Sequence, residues 1–157
     1  MKPINSNGWI IYFHPLFYQQ WLELVNKVKS LKQKLQPEDF ITHSDVKLLK
    51  AIDVGIKDKI PQDPLATHFS LKKPLQKYGR LKKMGLPSRY RLFFRTFQEA
   101  KTIIILWLGF PRKEGDKKDC YLIFSKLVAN GNFPENMSDF LEILEEIEEE
   151  ETPNDDN

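Results

Sequence analysis

The sequence predicts an α+β domain in which an N-terminal pair of helices packs on a four-stranded, mostly antiparallel sheet, followed by C-terminal helices. Three observations support this fold class. Apolar residues recur every three or four positions between residues 15 and 60, which is the period of an α-helix. The period changes to two between residues 65 and 110, as in β-strands. After residue 119 it becomes helical again.

The helical pattern dominates the N-terminal part of the chain. Residues 1–14 form a leader in which apolar residues alternate, as in a strand or an extended arm. The first helix extends from Pro15 to Pro37, and its apolar stripe consists of Phe17, Trp21, Leu24, Val28, Leu31 and Leu35. Ser44 can cap a second helix, because its hydroxyl can accept a hydrogen bond from the first turn, and Pro61 ends that helix.

The middle of the chain predicts four strands, over 65–71, 79–84, 88–97 and 101–110. Residues 98–100 form a short turn, so the last two strands should pair as an antiparallel hairpin. The last strand is apolar on both faces. It should therefore lie in the centre of the sheet and be covered on both sides.

The C-terminal part returns to helices after a charged loop. A helix is predicted over 119–130, ending at the Asn130-Gly131 pair, where either residue can adopt a left-handed conformation. Ser138 can cap a last helix that fades into an acidic run. The length predicts one domain, residues 1–138, and residues 139–157 should form an acidic helix and a partly disordered tail.

Charge is distributed very unevenly along the chain. Residues 1–138 contain all 24 Lys and Arg and 12 of the 22 Asp and Glu, a net charge of +12. Residues 139–157 contain the other ten acids and no base, a net charge of −10. A block of like charge is usually a solvated tail. The alternative is a polyanion that shields the basic face or docks on a partner.

Other features bear on the cellular compartment. The longest apolar run, Ile103 to Phe110, is far too short to span a bilayer. The N-terminus lacks the basic and then apolar layout of a signal peptide. The lone Cys120 excludes an internal disulfide and is typical of a reducing compartment. We therefore expect a soluble cytoplasmic protein that does not contact a membrane.

The segment from Lys72 to Arg95 contains nine Lys and Arg residues and no acid. Within the predicted strand 88–97, arginines occupy one face. Basic residues of the neighbouring strand and of the following loop can converge on that face. Together with the arginines of strand 88–97, the basic residues are Arg80, Lys82, Lys83, Arg89, Arg91, Arg95, Arg112, Lys117 and Lys118. A solvated sheet face is the ordinary explanation of such arginines. Their clustering instead favours a site that grips the phosphates of a nucleic acid.

Familiar catalytic signatures are missing from the sequence. It has no glycine-rich phosphate loop, no paired CxxC and no HExxH, and His14, His43 and His68 lack metal-ligand spacing. We expect no metal and no cofactor, His14 to pack or cap the first helix, and His43 to be solvated. Tyr121 follows the basic loop, where it can pack, stack on a base or donate a proton.

Metal-free RNA cleavage is compatible with these residue types. The ribose 2′-hydroxyl must lose a proton, the phosphorane must be stabilised, and the leaving 5′-oxygen must gain a proton. Arginines supply the second requirement, and a lysine with a lowered pKa or a tyrosine supplies the first or third. RNA is favoured over DNA because the DNA sugar lacks this internal nucleophile.

Four motifs, in order, resemble the YhaV family of bacterial toxin–antitoxin toxins, a branch of the RelE-like superfamily. They are NGWIIYFHPLF at 7–17, RYRLFFR at 89–95, IIILWLGF at 103–110 and KKDCYLIFSKL at 117–127. The resemblance implies a RelE-like fold, ribosome-associated endonuclease activity on mRNA, and neutralisation by a PrlF-type (AbrB-like) antitoxin. Operator DNA would be bound only through the antitoxin complex.

The resemblance also implies a set of site residues. Positions of the family's active groove are matched by Arg80 and Lys82, then Arg91, then Arg112 or Lys117, then Tyr121. We therefore expect Lys82, Arg91, Arg112 and Tyr121 to be catalytic and the other basic residues named above to bind RNA. The loop at 111–118 departs from the family's short glycine-arginine turn, and the acidic tail is not part of the family pattern.

Two other functions remain open from the sequence. The same superfamily contains toxins that poison gyrase by binding protein, without nuclease chemistry. The chain could also be a non-catalytic nucleic-acid-binding module.

Overall fold

The computed structural model describes residues 2–110 and 119–151, with the side chains of all of these except 119 and 148–151. Its sheet has five strands in the order β1-β2-β5-β4-β3, and β2 pairs with β5 in parallel while the other pairs are antiparallel. The strands are β1 (Ile4–Ser6), β2 (Trp9–Phe13), β3 (Tyr78–Leu81), β4 (Arg91–Phe97) and β5 (Thr102–Gly109). The α+β class is confirmed, but the sheet has one more strand than expected and is mixed.

Helices precede and follow the three strands β3 to β5. They are α1 (Pro15–Lys34), α2 (Pro37–Thr42), α3 (Ser44–Val54), a π-helical turn (Gly55–Lys59), α4 (Ile60–Gln62), a 3₁₀ turn (Thr67–Phe69), α5 (Asp119–Ala129) and α6 (Met137–Glu151). None of the helices in the described ranges is both long and apolar enough to cross a membrane.

One strand prediction is wrong and another is confirmed. Residues 65–71 do not form a strand: they contain the 3₁₀ turn Thr67–Phe69, and only Ser70 makes an isolated bridge to Gly79. The alternating leader, expected to be a strand or an extended arm, forms β1 and β2. It joins the sheet through the parallel pairing of β2 with the distant β5. The predicted hairpin of β4 and β5 is confirmed, and β5 is central and buried as expected.

The helix caps differ from the serines that the sequence favoured. His43, expected to be solvated, caps α3, since its Nδ1 accepts from the Asp45 N–H at 3.1 Å. Asn136, rather than Ser138, accepts from the Asp139 N–H at 2.9 Å at the start of α6. His14 caps α1 by accepting from the Leu16 N–H at 3.2 Å, which confirms its expected role. The left-handed residue after α5 is Gly131, with φ 76°.

His14 is also a buried polar side chain, only 5% exposed. Burial lowers its pKa from 6.5 to about 4, and a hydrogen bond with the Asn132 backbone opposes the shift. The imidazole is therefore neutral near pH 7, which leaves Nδ1 free to accept from the helix.

Both faces of the sheet carry a hydrophobic core. On one face, side chains of α1, α3 and the π-helical turn pack on Leu92 and Phe94 of β4. These side chains are Phe17, Leu48, Ile52 and Ile56. On the other face α5 and α6 pack through Phe124 and Phe140 on Phe93, Ile104 and Leu106. A β-bulge opposite Phe93 and Phe94 shifts the register of β5, so that Leu106 and Trp107 both contact the second core.

The acidic α6 is attached to the domain by its first turns. Phe140 is fully buried and contacts Tyr12 edge to face, with the ring centroids 5.5 Å apart. The division into a toxin domain, 1–138, and an acidic segment, 139–157, stays a prediction.

Candidate functional site

Two arginines, a lysine and a tyrosine (Arg80, Lys82, Arg91 and Tyr121), which we call the cationic cluster, lie around the buried ring of Phe93 in β4. Arg80 of β3 lies directly opposite Phe93 in the sheet, and Arg91 lies two residues before it, on the same face. Tyr121 of α5 contacts Phe93 edge to face, at a centroid distance of 5.7 Å. Two strands and one helix thus bring together residues that are up to 41 positions apart in the sequence.

Close packing of α5 on the end of β5 places Tyr121 over the sheet. Gly109 pairs with Arg91, and a Cβ atom at Gly109 would lie 3.2 Å from Cβ of Cys120 and 2.6 Å from the Trp107 ring. A larger residue at Gly109 would therefore push α5 away. The glycine lets Tyr121, the residue after Cys120, reach the arginines.

Arg91 is held rigidly by the protein. Its Nη1 donates to the backbone carbonyls of Ser88 and Tyr90, each at 2.8 Å, and its Nε donates to the Tyr121 hydroxyl at 3.3 Å. The residue is only 8% exposed. A guanidinium group has five N–H donors, so the two on Nη2 are left without an acceptor among the described residues.

The Tyr121 hydroxyl lies between two guanidinium groups. Arg80 Nε donates to the same oxygen at 2.9 Å, and Arg80 Nη1 donates to the His68 carbonyl at 3.2 Å. The phenolic oxygen therefore accepts two charge-assisted bonds. Its own hydrogen has no acceptor among the described residues and can be donated to a bound molecule.

Lys82 completes the cluster beside Arg80. Its pKa lies below the usual lysine value, chiefly because of the Arg80 charge, and then because of partial desolvation, Arg91 and Lys83; Tyr121 acts in the opposite direction. A lysine with a lowered pKa is more readily neutral and can accept a proton.

The cluster contains no counter-ion in the part of the chain that the structure describes. No Asp or Glu there forms an ion pair with Arg80, Lys82 or Arg91. A buried charge is normally paired, because its desolvation is otherwise unfavourable. The site is therefore ready to bind an anion such as a phosphate group. Residues 2–110 and 119–151 also contain no group of three His, Cys, Asp or Glu that could hold a metal ion.

The other predicted site residues lie elsewhere or outside the described residues. Arg95 lies on the same face of β4 as Arg91, but about 13 Å further along the strand. It donates to the Pro134 carbonyl at 2.8 Å and lies over the Phe97 ring at 4.4 Å. Arg89 is exposed in the turn before β4, and Lys83 is exposed next to Lys82. The predicted roles of Arg112, Lys117 and Lys118 fall on residues that the structure does not describe.

Sequence reasoning missed the backbone groups that hold the arginines. The carbonyls of His68, Ser88 and Tyr90 accept from Arg80 and Arg91. Every residue has a backbone carbonyl, so no sequence motif could have predicted which carbonyls accept these hydrogen bonds.

The sequence matches the model of one protein family. A model described as "toxin with endonuclease activity, of toxin-antitoxin system" matches residues 11–145. The chain is 34% identical over 155 residues to Toxin YhaV of Escherichia coli O6:H1, covering 94% of this chain and 97% of the relative. The chain belongs to the YhaV family of toxins. Ribonuclease toxin YhaV of Escherichia coli K12 matches with the same identity and coverage.

Membership in the YhaV family establishes the general function. The chain is the toxin of a toxin–antitoxin system, has endonuclease activity, and has an antitoxin as its partner. This activity favours the nuclease over the gyrase-poisoning and non-catalytic alternatives.

Two solved structures are weakly similar to this one. The RelBE2 toxin–antitoxin complex of Mycobacterium tuberculosis matches with a TM-score of 0.39 and 18% identity, covering 72% of this chain and 97% of that one. A mutant of Escherichia coli RelE in the free state matches with a TM-score of 0.43 and 11% identity, covering 74% and 97%. At these scores the likeness supports no conclusion about mechanism.

Proposed function

We propose that this YhaV-family toxin is a metal-independent endoribonuclease that cleaves mRNA, acting with the ribosome, and so inhibits translation and growth. The observation that carries the proposal is the Tyr121 hydroxyl held between Arg80 and Arg91 beside Lys82. The ribonuclease name of its Escherichia coli K12 relative supports RNA as the substrate.

The cluster can perform each step of RNA transesterification. Lys82, whose pKa is lowered, accepts the proton of the ribose 2′-hydroxyl as the 2′-oxygen forms a bond to phosphorus. Arg91 and Arg80 direct their remaining N–H donors at the phosphorane oxygens, where negative charge develops. Tyr121 donates its hydrogen to the 5′-oxygen as the bond from phosphorus to that oxygen breaks. The products are a 2′,3′-cyclic phosphate and a 5′-hydroxyl.

Electrostatics favours this route over one that uses a metal ion in the cluster. The guanidinium groups of Arg80 and Arg91 would repel a divalent cation, whereas they attract a phosphodiester. The positive charges already present provide the stabilisation that a metal ion would otherwise supply.

The resemblance of the sequence supports a type of antitoxin, and the single cysteine supports a reducing compartment. We propose that the antitoxin is of the PrlF type, that operator DNA is bound only through the antitoxin complex, and that the toxin acts in the cytoplasm. A net charge of +12 on residues 1–138 supports an approach to the RNA surface of a ribosome. We propose residues 1–138 as the toxin domain.

Cleavage assays with purified protein test this proposal. We expect cleavage of an RNA, with no cleavage of single-stranded DNA of the same sequence, and an unchanged rate on free RNA in excess chelator. A parallel reaction with mRNA on intact ribosomes measures the ribosome requirement. Arg91→Ala should be inactive in both reactions. Loss of cleavage on removal of metal from free RNA, or equal cleavage of DNA, would contradict the proposal.

A further inference from the structure

A groove of about 410 Å³ lies between α3, the π-helical turn and Met84 and Gly85, which follow Lys82 and Lys83 in the segment after β3. Its lining includes Lys47, Lys50 and Lys59 together with Ala51, Val54 and Met84. We call it the lysine groove. It combines a positive rim with an apolar floor, and its residues have no part in the RNA cleavage steps described above.

The lysines of the groove are not neutralised within the described part of the chain. Lys47, Lys50 and Lys59 form no ion pair there. By contrast, two lysines close to them in the sequence or fold are paired, Lys57 with Asp53 at 2.9 Å and Lys27 with Asp45 at 3.1 Å. The groove therefore presents uncompensated positive charge to a partner.

The floor exposes apolar side chains to solvent. Val54 is 37% exposed and Met84 is 43% exposed. Exposed apolar surface rimmed by charged residues is typical of an interaction site. Methionine suits such a surface, since its flexible side chain adapts to different apolar partners.

An unusual turn joins the groove to the catalytic cluster. Lys83, Met84 and Gly85 have φ angles of 60°, 55° and 95°. The turn is fixed by a hydrogen bond from the Leu86 N–H to the Lys83 carbonyl at 3.1 Å, and Leu86 is buried. Left-handed conformations of non-glycine residues are unfavourable and concentrate at functional sites. Here the turn places Met84 in the groove while Lys82 and Lys83 remain with the cluster.

We propose that the lysine groove binds an acidic, amphipathic segment of the antitoxin. Acidic side chains would pair with the three lysines, and one or two apolar side chains would cover Val54 and Met84. None of the lining residues is an arginine or a base-stacking tryptophan, tyrosine or phenylalanine, so the groove fits a protein segment better than RNA. Such a segment, continuing past Lys83, would block access to Lys82. The blocking of Lys82 rests on the proposed function of the cationic cluster, whereas the binding of the segment in the lysine groove does not.

Charge-reversal variants test the proposal in cells. Lys50→Glu with Lys59→Glu, and separately Val54→Glu, should arrest growth as the wild type does when expressed alone. Co-expression of the antitoxin encoded beside the toxin gene should rescue growth of the wild type but not of these variants. Lys29→Glu with Lys32→Glu is the matched control, because it makes the same charge change on exposed residues of α1.

Direct binding separates docking from toxicity. The groove substitutions, placed in an Arg91→Ala background, should weaken antitoxin binding by roughly tenfold or more, and the effect of the charge reversal should shrink at high salt. This measurement does not depend on whether the toxin cleaves RNA. Rescue and affinity equal to the control would overturn the proposal. Folded groove variants that bind the antitoxin normally but lose toxicity would also overturn it, and would assign the groove to RNA or the ribosome.

Discussion

Replacing Tyr121 by phenylalanine removes one oxygen atom from the centre of the proposed site. The ring should keep its edge-to-face contact with Phe93, so the fold should survive. The Nε–H of Arg91, a residue only 8% exposed, would lose its acceptor. An unmet buried donor costs about 1–3 kcal/mol. Loss of a proton donor typically slows a reaction about 10²–10⁴-fold, which corresponds to about 3–5 kcal/mol in the barrier.

The assay is the initial rate of RNA cleavage together with the thermal unfolding of each variant. Tyr121→Phe should cleave at least about a hundredfold more slowly than the wild type, and Tyr121→Ala should be as slow and also less stable. Tyr18→Phe is the matched control, since Tyr18 packs against the core on the other face of the sheet. If Tyr121→Phe kept most activity while Tyr121→Ala lost it, the tyrosine would act by stacking on a base. Wild-type activity in both would leave it a packing residue only.

Four further variants test the roles of single residues and of the acidic tail. Arg91→Ala should fold and lose about a hundredfold or more in cleavage rate, and a folded, fully active variant would remove Arg91 from the site. Arg80→Gln should raise the pKa of Lys82 towards its usual value, so the rising limb of the pH–rate profile should move to higher pH; an unmoved limb would contradict the role of Lys82 as base. The pKa of His14 is 6.5 in the unfolded chain and about 4 in the folded protein. The free energy of unfolding should therefore fall by up to about 3 kcal/mol as the pH drops from 6.5 to 4. Denaturant titrations should show a smaller fall for His14→Asn than for the wild type. Deleting 145–157 should tighten RNA binding at low salt and have less effect near physiological salt, whereas identical affinities at low salt would rule out shielding by the tail.

Periodicity predicted the elements whose residues pack along a continuous stripe. The helical stripe from Phe17 to Leu24 and the buried run from Ile103 to Leu108 each face a core, so local pattern and tertiary burial agree. The arginine face of β4 was predictable for the same reason, because successive side chains of a strand point to opposite sides.

Long-range and backbone features could not be predicted in this way. Residues 65–71 alternate like a strand, but their buried residue Phe69 packs on Phe94 from a 3₁₀ turn, so the pattern reflects one anchored side chain. The parallel pairing of β2 with β5 joins segments about 90 residues apart, which no local pattern records.

The contact between Tyr121 and Arg80 depends on the approach of α5 to β5 at Gly109. That approach is a property of the packed domain. The resemblance to a family placed both residues in one site, and the structure adds the two hydrogen bonds that join the tyrosine to the arginines.

In the proposed mechanism, Arg80, Lys82, Arg91 and Tyr121 cleave RNA by using the 2′-hydroxyl of the RNA itself. An RNA with a single 2′-deoxynucleotide at the cleaved position tests this most directly, with the unmodified RNA as the control. We predict that the unmodified RNA yields a 2′,3′-cyclic phosphate and a 5′-hydroxyl, and that the modified RNA is not cut at that position. Cleavage of the modified RNA at the same position and rate would contradict the account, because the attacking oxygen would then come from water or from the protein.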